Sequence, residues 1–195
     1  MSGITPSQTV GPFFAFGLTP TDYDWNVAIG NDLVTPDASG ERIRITGRVL
    51  DGDGAPVVDS MLEIWQADAA GRYAHPTDTR APPNAAFKGF GRVGTDQEGR
   101  FSFETIKPGA VPGPGGKPQA PHIAVVVFSR GMLTHLFTRI YFADDPTTAV
   151  DPILALVPAD RRPTLIARRD DRSGQPTYLF DIRLQGDGET VFFDI

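Results

Sequence analysis

Arg42-Ile43-Arg44-Ile45-Thr46-Gly47-Arg48-Val49-Leu50, followed at once by Asp51-Gly52-Asp53-Gly54, sets the architecture of this chain. Ile43, Ile45 and Val49 alternate with Arg44, Thr46 and Arg48. A period of two belongs to a strand with one buried face; a helix would space its apolar residues three and four apart. The Asp-Gly pairs that follow suit a tight reversal. The same pattern recurs after the stretch. Met61 to Gln66 reads as a strand carrying Trp65, and the turn Gly94-Thr95-Asp96-Gln97-Glu98-Gly99 leads into Phe101-Ser102-Phe103. Leu136 to Phe142 alternates and stops at Asp144-Asp145-Pro146. Tyr178, Phe180, Ile182 and Leu184 alternate with Leu179, Asp181 and Arg183, and Gly186-Asp187-Gly188 turns into a final strand, Thr190 to Ile195. His122 to Phe128 is continuously apolar and is expected to be buried on both faces. Pro108 to Pro121, crowded with proline and glycine, predicts a long loop. The one helix expected runs from Ala159 to Arg169, with Pro163 in its first turn. Short strands at regular spacing with turn signals predict an all-β chain, a single β-sandwich domain over residues 1–195, with at most one or two short helices.

Bulk properties narrow the function. With 195 residues the chain can bury a sizeable core without covalent staples. It has no cysteine, which removes disulfides, zinc–thiolate sites and thiol nucleophiles. A net charge of −6 leaves no basic surplus for phosphates, so no nucleic-acid partner is expected. No basic segment followed by an apolar run opens the chain, and its longest aliphatic run, Ile123 to Phe128, is far short of the ~20 residues that cross a bilayer. The expectation is a cytoplasmic protein with no membrane partner. Residues 1–39 lack periodicity yet carry Phe13, Phe14, Phe16, Tyr23 and Trp25. Disordered tails are poor in aromatics, so this segment reads as an arm that packs on a surface, expected to be that of a partner chain.

Several candidate sites dissolve on inspection. Gly89-Phe90-Gly91-Arg92-Val93-Gly94 satisfies the dinucleotide-binding glycine pattern, but a β-turn follows it instead of a helix. No G-x-S-x-G occurs to supply a nucleophilic serine. Arg161, Arg162, Arg168, Arg169 and Arg172 interleave with Asp160, Asp170 and Asp171, the pattern of a solvated, ion-paired surface. His75, His122 and His135 match no metal-ligand spacing by themselves. On its residues alone, His122 reads as a hydrogen-bonded core or interface histidine and Arg130 as an exposed turn residue.

Longer segments carry a resemblance. Ala120-Pro121-His122-Ile123-Ala124 resembles the segment that supplies two iron-binding histidines in the intradiol ring-cleaving dioxygenases, with the second histidine replaced by Ala124. Lys107-Pro108-Gly109-Ala110-Val111-Pro112 resembles that family's loop carrying a tyrosine ligand, with Val111 in its place. Gly71-Arg72-Tyr73 keeps the other tyrosine. Thr5 to Phe13, Leu62 to Asp68, Thr138 to Phe142 and Phe180 to Arg183 extend the similarity over nearly the whole chain. Two of the four ligand positions survive. Gln119 stands where the iron-binding chains carry an arginine. Pro6 to Pro12 and Gly188 to Asp194 resemble the non-iron-binding α type of the family's heteromeric members. The resemblance implies a β-sandwich, no metal in this chain, and Fe(III) held by a homologous β subunit in a higher-order αβ assembly. It implies O2-dependent ring opening of protocatechuate to 3-carboxy-cis,cis-muconate. It also implies that Thr9, Gly11, Pro12 and Arg130 complete the partner's substrate cleft and that no catalytic residue lies in this chain. Ferric iron is stabilised by phenolate oxygen, so losing the Val111 and Ala124 donors leaves Tyr73 and His122 unable to hold it. The other reading open at this point is a stand-alone, non-catalytic β-sandwich binding module.

Overall fold

The computed structural model describes residues 9–11, 14–19, 29–80, 86–172 and 174–194. Its strands are β1 (Arg42–Leu50), β2 (Ser60–Gln66), β3 (Phe90–Gly94), β4 (Arg100–Ile106), β5 (Val111–Pro112), β6 (Pro118–Gln119), β7 (His122–Ser129), β8 (Leu136–Phe142), β9 (Ile166–Asp170), β10 (Thr177–Leu179) and β11 (Ile182–Arg183). The α-helix described is α1, Phe14–Leu18; the remaining helical pieces are 3-10 turns. No helix among the described residues is long and apolar enough to cross a membrane.

Nine of these strands form one folded-over sheet, and β5 and β6 pair separately. One half centres on β1, antiparallel to β4 and parallel to β10 and β11. The other centres on β7, antiparallel to β2 and β8, with β3 outside β2. β9 joins the halves, antiparallel to β10 and parallel to β8 through Tyr141↔Ile166 and Phe142↔Ala167. The core lies between the halves, where Ile43, Ile45, Phe103, Ile64, Ile123, Val125, Val127 and Ile140 are buried together. Each such aliphatic side chain contributes roughly 1.5–3 kcal/mol on leaving water. A smaller cluster, Ala120, Tyr141, Leu154, Val157 and Leu165, sits outside the β7 half, against the 3-10 turns at Leu154–Leu156 and Arg162–Leu165.

Five expectations change in detail. Residues 159–169 do not form a helix. Pro163 opens a 3-10 turn, and from Ile166 the chain becomes β9 because β8 and β10 offer it two ladders. The alternating run 178–184 is split between β10 and β11. A Cβ on Gly47 would lie 1.7 Å from the Phe180 carbonyl oxygen, so the chain presses against β1 there and the break falls at Phe180-Asp181. Residues 190–194 are irregular except for one bridge, Phe137↔Phe193, and Ile195 lies outside the described residues. β7 is buried on one face and half-buried on the other, since Ala124, Val126 and Phe128 alternate with Ile123, Val125 and Val127. The 108–121 loop contains the short β5–β6 pairing, Val111↔Gln119 and Pro112↔Pro118.

Part of the 1–39 arm is used on its own sheet. Asn31 O accepts from Glu104 N–H at 2.9 Å, Leu33 N–H donates to Glu104 O at 2.8 Å, and Leu33 is buried.

Candidate functional site

The outer face of the β7 half carries positions that the resemblance compares with iron ligands. Successive strand residues point to opposite faces, so His122 and Ala124 lie opposite the core-facing Ile123 and Val125. Directly paired residues share a face, which puts Tyr141 beside His122, and Trp65 and Arg139 on either side of Ala124. Tyr73 enters from the turn after β2 and stacks on Trp65, with ring centroids 6.0 Å apart and planes 7° apart. That turn is pressed onto the loop carrying Val111. Gly71 has φ +72°, and a Cβ there would meet the Ala110 carbonyl oxygen at 1.9 Å. The Gly109 N–H also donates to Asp68 O at 2.9 Å.

His122 is 5% exposed. Its Nδ1 lies 2.8 Å from Ala120 O. A carbonyl only accepts, so Nδ1 carries the proton and Nε2 presents a lone pair. Burial, and then the nearby Arg139 guanidinium, pushes the imidazole below its ordinary pKa. Burial pushes the Tyr73 phenol above its ordinary range, with Arg139 acting the other way. Tyr141 donates from its hydroxyl to Asp151 Oδ1 at 3.0 Å, and its phenol is also pushed up by burial. Asp151, 1% exposed, also accepts from the backbone N–H groups of Ala120 at 2.7 Å, Ile153 at 2.9 Å and Leu154 at 2.7 Å.

The donor set does not fit iron. Val111 is buried and offers only methyl groups; Ala124 offers one. Among the described residues, no group of three or more His, Cys, Asp or Glu is arranged to hold a metal ion.

A second feature lies where the arm meets the end of β7. Thr9 Oγ1 accepts from Gly131 N–H at 2.7 Å, next to Arg130. Gly11 O accepts from Phe14 N–H at 3.0 Å, and the Phe14 ring packs 6.0 Å from that of Phe128. Thr9, Gly11, Phe14, Phe128, Ser129 and His135 line an open groove of about 470 Å3. Phe16 and Leu133, 52% and 63% exposed, add apolar surface. Arg130 stands 77% exposed at the side chain, its Nε 2.8 Å from Asp59 Oδ2. Thr9 and Gly11 are thus brought to the Arg130 turn; Pro12 lies outside the described residues. His75 and His135 are exposed, apart from His122. Among the arginine cluster, Arg169 bonds Asp171 and Asp144, and Arg172 bonds Asp170, from β9 and its following turn instead of from a helix.

A family model described as a dioxygenase matches residues 10–186. The chain is 49% identical over 197 residues to the protocatechuate 3,4-dioxygenase alpha chain of Burkholderia cepacia, covering 98% of this chain and 97% of that one. It belongs to the intradiol dioxygenase family. The protocatechuate 3,4-dioxygenase beta chain of Burkholderia cepacia is also similar, 42% identical over 87% of this chain and 74% of its own. The dioxygenase domain of a carbohydrate-binding fusion from Streptomyces sp. SirexAA-E superimposes with a TM-score of 0.61 at 25% identity, covering 93% of this chain and 98% of that one. The β-sandwich expected from the alternation is therefore the fold that this chain shares with its dioxygenase relatives. Asp151, Tyr141 and above all Arg139 are site residues for which the sequence suggested no role, although Thr138 to Phe142 was one of the segments carrying the resemblance. The signal for Arg139 was available only as an arginine on the outward face of a strand, which taken alone reads as solvated.

Proposed function

We propose that this chain is the α-type subunit of a heteromeric protocatechuate 3,4-dioxygenase in the cytoplasm. Its partner is a homologous β subunit that holds Fe(III), within a larger αβ assembly. The observation that carries the reading is the replacement of two donors, at Val111 and Ala124, in a chain otherwise similar to an alpha chain end to end. The reaction takes protocatechuate and O2 to 3-carboxy-cis,cis-muconate by opening the ring between its hydroxyl-bearing carbons. This chain's part is to shape and close the cleft. The substrate's carboxylate leaves water on binding and needs a paired donor. Arg130 supplies a planar fork that meets it with two charge-assisted hydrogen bonds. Its exposure in the single chain, and the open groove beside it bounded by Thr9 and Gly11, support a role completed by the partner's surface. The exposed Phe16 and Leu133 support the same role, since apolar surface of this kind marks an interface. Pro12 belongs to the same proposed cleft.

Co-expression with a homologous chain that keeps both tyrosines and the His-x-His segment tests the reading. The expected product is a stable complex that contains iron, about one per αβ pair, and consumes O2 with protocatechuate. If the two chains purify apart and the iron-bearing chain is fully active alone, this chain is a stand-alone module and the proposal is wrong.

A further inference from the structure

We infer that Arg139 occupies the degenerate site as its resident cation, so that the site excludes metal by charge as well as by its missing donors. The inference stands apart from the substrate reading, since it concerns only this chain's own side chains.

Arg139 is the residue on which the four altered and surviving positions converge. It pairs directly with Ala124 across β7–β8, so the two side chains share a face at the shortest cross-strand separation. An alanine leaves that space open for the longer neighbour. The guanidinium uses it: Nη1 donates to Gln119 Oε1 at 2.7 Å and lies 3.4 Å from the Tyr141 hydroxyl. Gln119 is the direct partner of Val111 in the β5–β6 pairing. Arg139 is thus tied on one side to the residue facing Val111 and on the other to the tyrosine whose ring packs 5.8 Å from His122. Its charge is also felt at both surviving positions, Tyr73 and His122. The Phe193 ring covers the cation at 5.8 Å. No carboxylate forms an ion pair with Arg139 among the described residues; what receives it is an amide oxygen, a hydroxyl and a ring face.

The groups that directly receive the cation are neutral, and the buried Asp151 carboxylate stands one hydrogen bond away, behind the Tyr141 hydroxyl. A second positive charge brought beside it meets direct repulsion, strengthened by partial burial. Two changes therefore separate this site from an iron site. Donors are missing, and a fixed guanidinium stands among the positions they would have used.

The test compares variants of the full chain by Fe(III) titration, read by the visible band of ferric tyrosinate and by iron per chain after gel filtration. Val111→Tyr/Ala124→His is expected to bind iron weakly, without a stoichiometric band. Adding Arg139→Gln, which keeps a polar group for Gln119 and Tyr141, should tighten binding by roughly 10- to 100-fold, the span seen when groups surrounding metal ligands are altered. Adding Arg139→Lys instead retains the charge and should leave binding weak. Val111 is buried, so a tyrosine there can unfold the chain. The pair Ala124→His and Ala124→His/Arg139→Gln repeats the comparison with that loop untouched. Stoichiometric iron in a variant that still carries Arg139, equal binding with glutamine and lysine at 139, or no gain from Arg139→Gln in either background would overturn the inference.

Discussion

Arg130→Ala should lower kcat/KM for protocatechuate by about 30-fold or more in the assembled enzyme while barely changing the stability of this chain. Its side chain is 77% exposed, and its ion pair is with Asp59, itself 36% exposed. Such a pair contributes roughly 0–1 kcal/mol to folding. For a chain of this length the melting temperature should therefore fall by no more than about 4 °C. Against a substrate carboxylate in a closed cleft the same guanidinium is desolvated, and truncating one member of a buried charged pair costs roughly 2–5 kcal/mol. At about 1.4 kcal/mol per tenfold, that is about 30-fold to several thousand-fold. Catechol has no carboxylate, so its weaker turnover should change far less. Arg130→Lys should recover part of the loss, because a point charge replaces the fork. Asp59→Asn, which removes only the ion-pair partner, should leave both substrates nearly unaffected. The deciding quantity is the protocatechuate-to-catechol ratio of kcat/KM in wild type and variant, with a thermal melt of each. An unchanged ratio, with both activities falling together, would refute the recognition role and assign Arg130 to assembly.

Thr9→Val removes the acceptor of the Gly131 N–H bond and should raise KM for protocatechuate several-fold, because one neutral hydrogen bond contributes about 1 kcal/mol. An unchanged KM would detach the arm from the cleft. Gly47→Ala should destabilise the chain by at least the roughly 3 kcal/mol upper end of overpacking, since its Cβ would meet the Phe180 carbonyl at 1.7 Å; a urea midpoint close to wild type would contradict that packing. Asp144 is pushed up by burial, but bonds from Lys107, Tyr178 and Arg169 outweigh this and hold it below the ordinary 3.8. Its stabilising contribution is therefore complete above about pH 4 and drains as pH falls through the folded value. Denaturant midpoints measured from pH 6 to pH 2 should fall less steeply in Asp144→Asn than in wild type, and parallel curves would remove Asp144 from the acid response.

Half-buried strands kept their period, and so β1 and β4 could be read directly from Ile43 and Phe101 with their polar neighbours. Ala159 to Arg169 could not. Its alanine, leucine and arginines favour helix locally, while the ladders that make Ile166–Asp170 a strand come from β10, which follows across a short turn, and from β8, which lies outside the segment. The break in 178–184 depends on Gly47, remote in sequence. Val111 and Ala124, which the resemblance reads as replaced ligands, stood out because short local segments carry them. Arg139 did not, since its meaning lies in a cross-strand register with Ala124 that no local pattern encodes.

β1 sits between strands made early and strands made last. Arg48 and Asp181, joined by the hydrogen bond from the Arg48 backbone N–H, are 133 residues apart. At a synthesis rate of roughly 5–20 residues per second, one flank of β1 waits about 7–27 s for β10 and β11 to be made. During that interval the nascent chain presents an unpaired edge, the kind of surface on which other chains add strands. Arg42, Arg44 and Arg48 lie along that strand, and like charges on a waiting edge discourage it from pairing with another copy of itself. Arg44 meets Glu104 when β4 pairs with β1, and Arg48 finds Asp181 only once the sheet closes. The order in which the ribosome delivers this sheet thus gives its surface charges a task that ends when folding does.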